Sequence, residues 1–116
     1  MIARTWTAQA TREQAPRYAE HLRASVLPRL EAVAGYRSSM LLERDNGSEV
    51  ELIVVTFWAS LGAIEGFAGS DSQRAVVEDE AAALLTTFDR TVRHYDVVLL
   101  SSDAATASGT AARDGA

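Results

Sequence analysis

Residues 50–58, VELIVVTFW, set the strongest limit on what this chain can become. β-Branched and aromatic side chains dominate the run, and both of its alternating faces are apolar. A strand of that composition belongs in the middle of a sheet, covered on two sides. Ser60 follows directly and is placed to cap a helix by accepting an orphan backbone N–H. Leu61, Ile64, Phe67 and Ala68 then recur at helical spacing and form one apolar stripe. Gly62 and Gly66 sit within that helix, each costing about 1 kcal/mol against alanine. A helix that keeps them either lies close against the sheet or a ligand, or is simply short and weak.

The rest of the chain supplies partners for this strand. Residues 2–8 predict a strand with Ile2, Arg4 and Trp6 on one face and Ala3, Thr5 and Thr7 on the other. Thr11 and Gln14 have the spacing of a capping box. A helix to about residue 33 carries the stripe Ala15, Tyr18, Ala19, Leu22, Val26, Leu30 and Val33. Pro28 deprives the Ala24 carbonyl of its hydrogen bond, so a kink or split is expected there. Gly35 suits the position just past a helix end. Residues 36–45 predict a second strand, and Asn46-Gly47 a two-residue type I′ hairpin. After a turn at Gly69-Ser70-Asp71, a helix is expected over residues 72–88. Val77, Ala81, Leu84, Leu85 and Phe88 face inward on it, and Glu78-Asp79-Glu80 form a solvated face. Residues 91–100 predict the last strand. The domain is expected to span residues 1–100, and the small, polar, low-complexity residues 101–116 a disordered tail.

The element order β-α-β-β-α-β fits an α+β fold, a ferredoxin-like antiparallel sheet in the spatial order 4-1-3-2 with helices on one face. The other face still carries aromatic and aliphatic residues, which argues for a homodimer closing sheet on sheet. The chain contains no cysteine, so a disulfide framework, a thiolate nucleophile and a zinc–thiolate site are excluded. Its net charge is −5 with lysine absent, which disfavours nucleic-acid binding. The N-terminus shows no secretory h-region, and the longest apolar run falls well short of the ~20 residues of a membrane span. A soluble cytoplasmic protein is the expectation. No phosphate-binding glycine loop is present.

Residues 55–71, VTFWASLGAIEGFAGSD, place a tryptophan at a strand end, a serine-initiated short helix, and a later Ser-Asp. This layout resembles the antibiotic biosynthesis monooxygenase (ABM) domain superfamily, and a weaker likeness covers about residues 2–98. The resemblance implies a dimeric α/β barrel with a pocket in each subunit between sheet and helices. It implies a cofactor-independent monooxygenase acting on an aromatic, quinol-like, polyketide-type small molecule whose own anion reduces dioxygen. No cofactor and no metal are expected. Haem-degrading members use an asparagine on the first strand and a histidine after Ser-Asp. This chain has Thr5, Trp6 and Thr7 at the first place and SDSQRAVV at the second, so haem degradation is disfavoured. The missing asparagine also weighs against cofactor-free oxygenation, leaving a non-catalytic binding or dimerisation module as the alternative.

His94 and Trp58 are the candidate catalytic residues, with Trp6, Arg4, Thr56, Asp96 and Phe67 as candidate substrate-binding residues. His94, in VRHYDV, shares a face with Val92, Asp96 and Val98. One register sets His94 opposite Trp6 and Asp96 opposite Arg4, gathering these residues with Thr56 and Trp58 into one cluster; a one-residue slip scatters it. Histidine suits a base for a phenol or enol. The structural alternatives are an Arg4–Asp96 ion pair, a satisfied interface His94, and Trp58 as plain core. His21 is expected to face solvent. Tyr36 and Tyr95 are expected to pack in strands, and Arg74 to lie on the surface.

Overall fold

The structure, a computed structural model, describes residues 1–101. The tail expected over residues 101–116 lies, apart from Ser101, outside the described residues. The apolar run becomes β3 (Glu49–Trp58), the central pairing strand. β1 (Ile2–Thr11) lies antiparallel to it along its whole length, from Ile2 opposite Trp58 to Thr11 opposite Glu49. β2 (Tyr36–Asn46) covers its other edge, with one bulge between Tyr36 and Ser38. Two short strands, β4 (Thr87–Phe88) and β5 (Arg93–Asp96), pair antiparallel with the free edge of β1. The order β2-β3-β1-β4, with β5 continuing the same edge, is the expected ferredoxin-like arrangement with its fourth strand in two pieces.

The break in that edge corrects the helix expected over residues 72–88. Phe88 faces Ala8 and Arg93 faces Thr5, so residues 89–92 stand against only Trp6 and Thr7. The surplus residues buckle outward and take other partners. Ala75 N donates to Arg90 O at 2.9 Å, and Val92 N donates to Gln73 O at 2.8 Å. Arg74 forms a bridge with Thr91. Thr86 N donates to Gln9 O at 2.7 Å, and Asp89 N to Thr7 O at 3.0 Å. These ladder bonds satisfy backbone groups at both ends of the segment, and helix propensity is too weak to compete with them. One helical turn survives as α4 (Asp79–Ala82). Val77, Ala81, Leu84 and Leu85 still reach the core, whereas Phe88 has become a strand residue.

The first helix breaks where proline predicts, by a specific device. α1 (Ala15–His21) passes into a π-helical turn, Leu22–Val26, before α2 (Leu27–Glu31) resumes with Pro28 in its first turn. The π turn inserts one residue just ahead of the ring, so the missing N–H falls at a wide turn. Thr11 Oγ1 accepts from Gln14 N at 3.1 Å, but the reciprocal half of the capping box is absent, and Gln14 Oε1 is buried without a partner. The β2–β3 hairpin also differs by one residue. Asn46 pairs with Glu49, leaving Gly47 and Ser48 as the loop. Gly47 has φ 78°, while no non-glycine residue has positive φ among those described. Positive φ at the first central position alone is the type II′ pattern rather than I′.

Alternate residues of β1 and β3, from Arg4 to Ala10 and from Val50 to Trp58, face the helices. The core there forms two clusters, one around Tyr18, Leu22 and Leu52, the other around Leu30, Trp58 and Ile64. On the opposite face Met40 pairs with Val55 and Leu42 with Ile53. Met40, Leu42 and Tyr95 remain 44, 44 and 50 % exposed there.

α3 (Leu61–Ala68) starts at Ser60, whose Oγ accepts from Ala63 N at 3.1 Å as the sequence predicts. Its tight contact is with Gly35 rather than at its own glycines. Gly35 has φ 91°, and a Cβ there would collide with the Ala63 side chain. Gly35→Ala is expected to destabilise the fold by more than about 1 kcal/mol, because Ala is strained at positive φ and displaces α3. Gly66→Ala, whose added methyl would sit 3.6 Å from Val33 Cγ1, is expected to be neutral or stabilising. Urea denaturation of the two variants checks the opposite signs.

Candidate functional site

A cavity of about 70 Å³ lies between the helix-side face of the sheet and the helices. Arg4, Trp6 and Thr56 form its sheet wall, Tyr18, His21 and Leu22 its helix wall, and Phe67 and residues 75–78 complete it. Four of the expected site residues, Arg4, Trp6, Thr56 and Phe67, therefore meet at one cavity. Trp58, His94 and Asp96 do not line it.

Arg4 is the most constrained of these. It is 5 % exposed, and its guanidinium lies 5.9 Å from the centre of the Phe67 ring. Nη1 donates to the Ser72 carbonyl at 2.8 Å and Nη2 to the Arg74 carbonyl at 3.0 Å. Burial pushes its pKa down to about 10, so it stays charged at neutral pH. Among the described residues no carboxylate forms a salt bridge with it. The Arg4–Asp96 alternative is not formed, because the β1–β5 register differs by two residues from the expected one. Arg4 faces His94, and exposed Asp96 faces Ile2. A shift of two preserves which face each side chain takes, so His94 and Arg4 still share a side.

Arg4 Nη1 lies 3.4 Å from His94 Nε2. A guanidinium only donates, which assigns Nε2 as acceptor and the ring proton to Nδ1. Burial first, and the Arg4 charge second, hold the His94 pKa below its ordinary value. The half-buried His94 thus acts on Arg4 from behind the cavity wall.

Trp58 also stands behind that wall. It is fully buried; Nε1 donates to Thr56 Oγ1 at 2.8 Å. Its ring stacks on Phe67 at 5.9 Å and meets Tyr36 edge-on at 5.5 Å. It orients Thr56 and Phe67, which do face the cavity. Trp6 is held by donation from Nε1 to the Asp89 carbonyl at 2.6 Å, a carbonyl the edge-strand bulge turns inward, and by tilted contacts with Tyr18 and Phe88. Tyr36 donates to or accepts from Ser39 Oγ at 2.5 Å, and Arg74 is exposed, with its carbonyl serving Arg4.

His21 corrects the solvent-facing expectation. Its side chain is 7 % exposed and lines the cavity, with Nε2 3.7 Å from Glu78 Oε1. Glu78 is likewise more than a solvated charge, since Arg29 Nη1 reaches its Oε2 at 3.0 Å. The Tyr18–His21–Leu22 spacing, which sets all three on adjoining positions of one helix side, was the available signal for His21. Glu78 carried none, because its approach depends on residues 72–78 not being helical. Burial pushes the Tyr18 phenol well up, so it remains protonated.

The depressed His94 value fixes a pH dependence. Above about pH 6.5 the imidazole is neutral in folded and unfolded chains alike. Below it the unfolded chain takes up a proton that the folded chain resists, so stability present above that pH is lost as pH falls through the folded value. Denaturation at pH 7.5 and 5.5 should show a smaller loss in His94→Gln than in the wild type.

Among solved structures, the chain is similar to a candidate antibiotic biosynthesis monooxygenase from Bacillus cereus, at 17% identity and TM-score 0.61, covering 87% of this chain and 96% of that one. It is similar to MhuD, a heme-degrader from Mycobacterium tuberculosis seen with two hemes in its active site, at 20% identity and TM-score 0.58, covering 88% and 100%. A candidate antibiotic biosynthesis monooxygenase from Deinococcus radiodurans matches at 15% identity and TM-score 0.60, covering 88% and 97%. At these identities the likeness shows the fold. No curated protein matches the sequence. The family model described as antibiotic biosynthesis monooxygenase, ABM, matches residues 1–79, and the chain belongs to that family.

Proposed function

We propose that this protein is a homodimeric, cofactor-independent monooxygenase acting on an aromatic, quinol-like small molecule in the cavity of each subunit. The observation that carries the proposal is Arg4: a buried cation without a carboxylate partner among the described residues, at a cavity walled by Trp6, Tyr18 and Phe67. Leaving a guanidinium uncompensated inside a protein is costly, and an anion generated beside it would be stabilised where water is excluded. An anthrone illustrates the balance. Its anion reduces dioxygen; one oxygen atom replaces two hydrogens on carbon as a carbonyl, and the other leaves as water, so no external reductant is needed. Arg4 holds the anion, Trp6 and Phe67 flank the ring, and Thr56, fixed by Trp58, presents its side chain to the same space. His94 positions Arg4, and Asp96 lies at the sheet edge beyond.

The cavity's 70 Å³ is about half the ~150 Å³ that accommodates benzene. An aromatic ligand therefore requires the cavity to widen. The same bound, with no histidine in SDSQRAVV, fits a haem poorly, and no haem chemistry is proposed. The small volume is also the observation that favours the second reading, a non-catalytic binder of the same fold.

Dimerisation is supported by the uncovered sheet face at Met40, Leu42 and Tyr95; Val98, Leu99 and Leu100, beyond β5, are exposed as well. A second copy laid sheet on sheet would remove these side chains from water. No helix among the described residues is long and apolar enough to cross a membrane.

Oxygen uptake with anthrones and dihydroxynaphthalenes tests the activity. Turnover without added cofactor is expected, falling roughly 100-fold or more in kcat/KM in Arg4→Met. Absence of uptake with every compound, while Trp fluorescence still reports binding, selects the binder. Sedimentation should give twice the chain mass, reduced to the single-chain mass by Leu42→Glu; a monomeric wild type overturns the dimer.

A further inference from the structure

We infer that His21 and Glu78 form a proton-accepting pair on the helix wall of the cavity, taking the hydroxyl proton of a single-ring phenol or enol so that the ligand rests as its anion against Arg4. The inference rests on the reading of this cavity as a ligand site, and it replaces His94 by His21 as the residue that meets the ligand.

Two features of His21 set it apart from a packed core histidine. Its side chain is more than nine-tenths buried, and Nε2 has no hydrogen-bond partner among the described residues. Buried polar atoms are nearly always paired, so an unpaired ring nitrogen on a residue that lines a cavity is a place for an incoming donor. The second feature is Glu78. Its Oε1, 3.7 Å away, is too distant to bond the neutral ring, and it is the negative charge nearest to the ring that would receive the proton. The salt bridge from Arg29 to Oε2 keeps the carboxylate in place, while the Arg29 charge tempers its pull.

The remaining groups around His21 do not contest the proton. Tyr18, on the same helix, approaches with ring centroids 6.4 Å apart, and its phenol stays protonated. From the sheet, the cavity receives Trp6, Thr56 and Arg4. His94 is turned to Arg4. Of the five N–H groups on a guanidinium, Arg4 uses three on Ser72, Arg74 and His94, which leaves two for an anionic oxygen.

The transfer is complete as written. The ligand O–H bond breaks, an N–H bond forms on the His21 imidazole, and both electrons of the O–H bond stay on oxygen. No proton leaves the cavity, so its total charge is unchanged. The new phenolate lies with Arg4 and the new imidazolium with Glu78, giving each nascent charge an opposite neighbour. In this separation the arginine that meets no carboxylate among the described residues takes the anion, and the carboxylate stands on the helix side beside the histidine.

The chain has two histidines, so a spectrum of ring ¹³Cε1–H groups contains two signals, distinguished with His94→Gln. The probe is 4-nitrophenol, whose anion is coloured and whose neutral form is not, added at a pH where the free compound is mostly neutral. Expected is binding in the coloured form, with the His21 signal moving to the imidazolium position. His21→Gln should bind the colourless form, and Glu78→Gln should lower the bound anion fraction about tenfold. Coloured binding with an unmoved His21 signal in the wild type, or an unchanged anion fraction in His21→Gln, overturns the pair while leaving the cavity as a ligand site. Absence of binding by Trp fluorescence and both histidine signals overturns the ligand site and the pair together. Should nitrophenol bind as its anion while no quinol is oxidised, oxygenation falls and the proton-accepting pair stands.

Discussion

Arg4 holds two parts of the chain that secondary structure alone would leave apart. Its guanidinium is planted in β1, the strand paired on both edges, and its donors reach the Ser72 and Arg74 carbonyls of an irregular segment. Those carbonyls would otherwise lack partners near an apolar core. The same segment then bridges at Arg74 to Thr91 in the broken edge strand. One side chain thus ties the sheet, the segment beyond α3 and the edge-strand bulge into the frame of one cavity. The desolvation cost, several kcal/mol for an unpaired ion, is offset in part by these bonds, the Phe67 face and the His94 ring nitrogen.

Three departures from regular structure border this frame. The π turn ahead of Pro28 lies in the helix that carries Tyr18, His21 and Leu22 to the cavity. The edge-strand bulge turns the Asp89 carbonyl toward the Trp6 indole. The positive φ at Gly35 lets α3 approach closely, and α3 brings Phe67 over Arg4. Bulges and π turns recur beside functional sites because they re-aim side chains without dismantling the sheet or helix. Behind them, Trp58 fills space that a smaller residue would leave open and gives Thr56 and Phe67 a rigid backing.

Sequence was sufficient wherever one periodicity had one reading. The two-sided apolar run at 50–58 became the central strand, and alternation in residues 2–8 put Arg4 and Trp6 on one face, which the structure turns toward the helices. Parity protected this result: pairing His94 with Trp6 was two residues off, yet it left Arg4 and His94 on one face. It did not protect the Arg4–Asp96 contact, since partners are set by register as well as face. The hairpin failed by one residue for a related reason. Gly47 offered positive φ to either turn, and strand pairing selected Gly47-Ser48 over Asn46-Gly47. Residues 72–88 kept only the helical turn Asp79–Ala82, because the rest of the helical pattern lost to ladder bonds offered by β1 and the edge bulge.

By itself the sequence determined the α+β order, the middle strand, the break at Pro28, the serine cap of α3 and the face that Arg4 and Trp6 share, since each follows from residues within a few positions of one another. Only the tertiary structure decided that His21 is enclosed, that Glu78 stands beside it, that Asp96 misses Arg4 and that Trp58 backs the cavity instead of lining it. Those outcomes depend on contacts between residues some 50 to 90 positions apart, where backbone hydrogen bonding and register, rather than local preference, choose the neighbour.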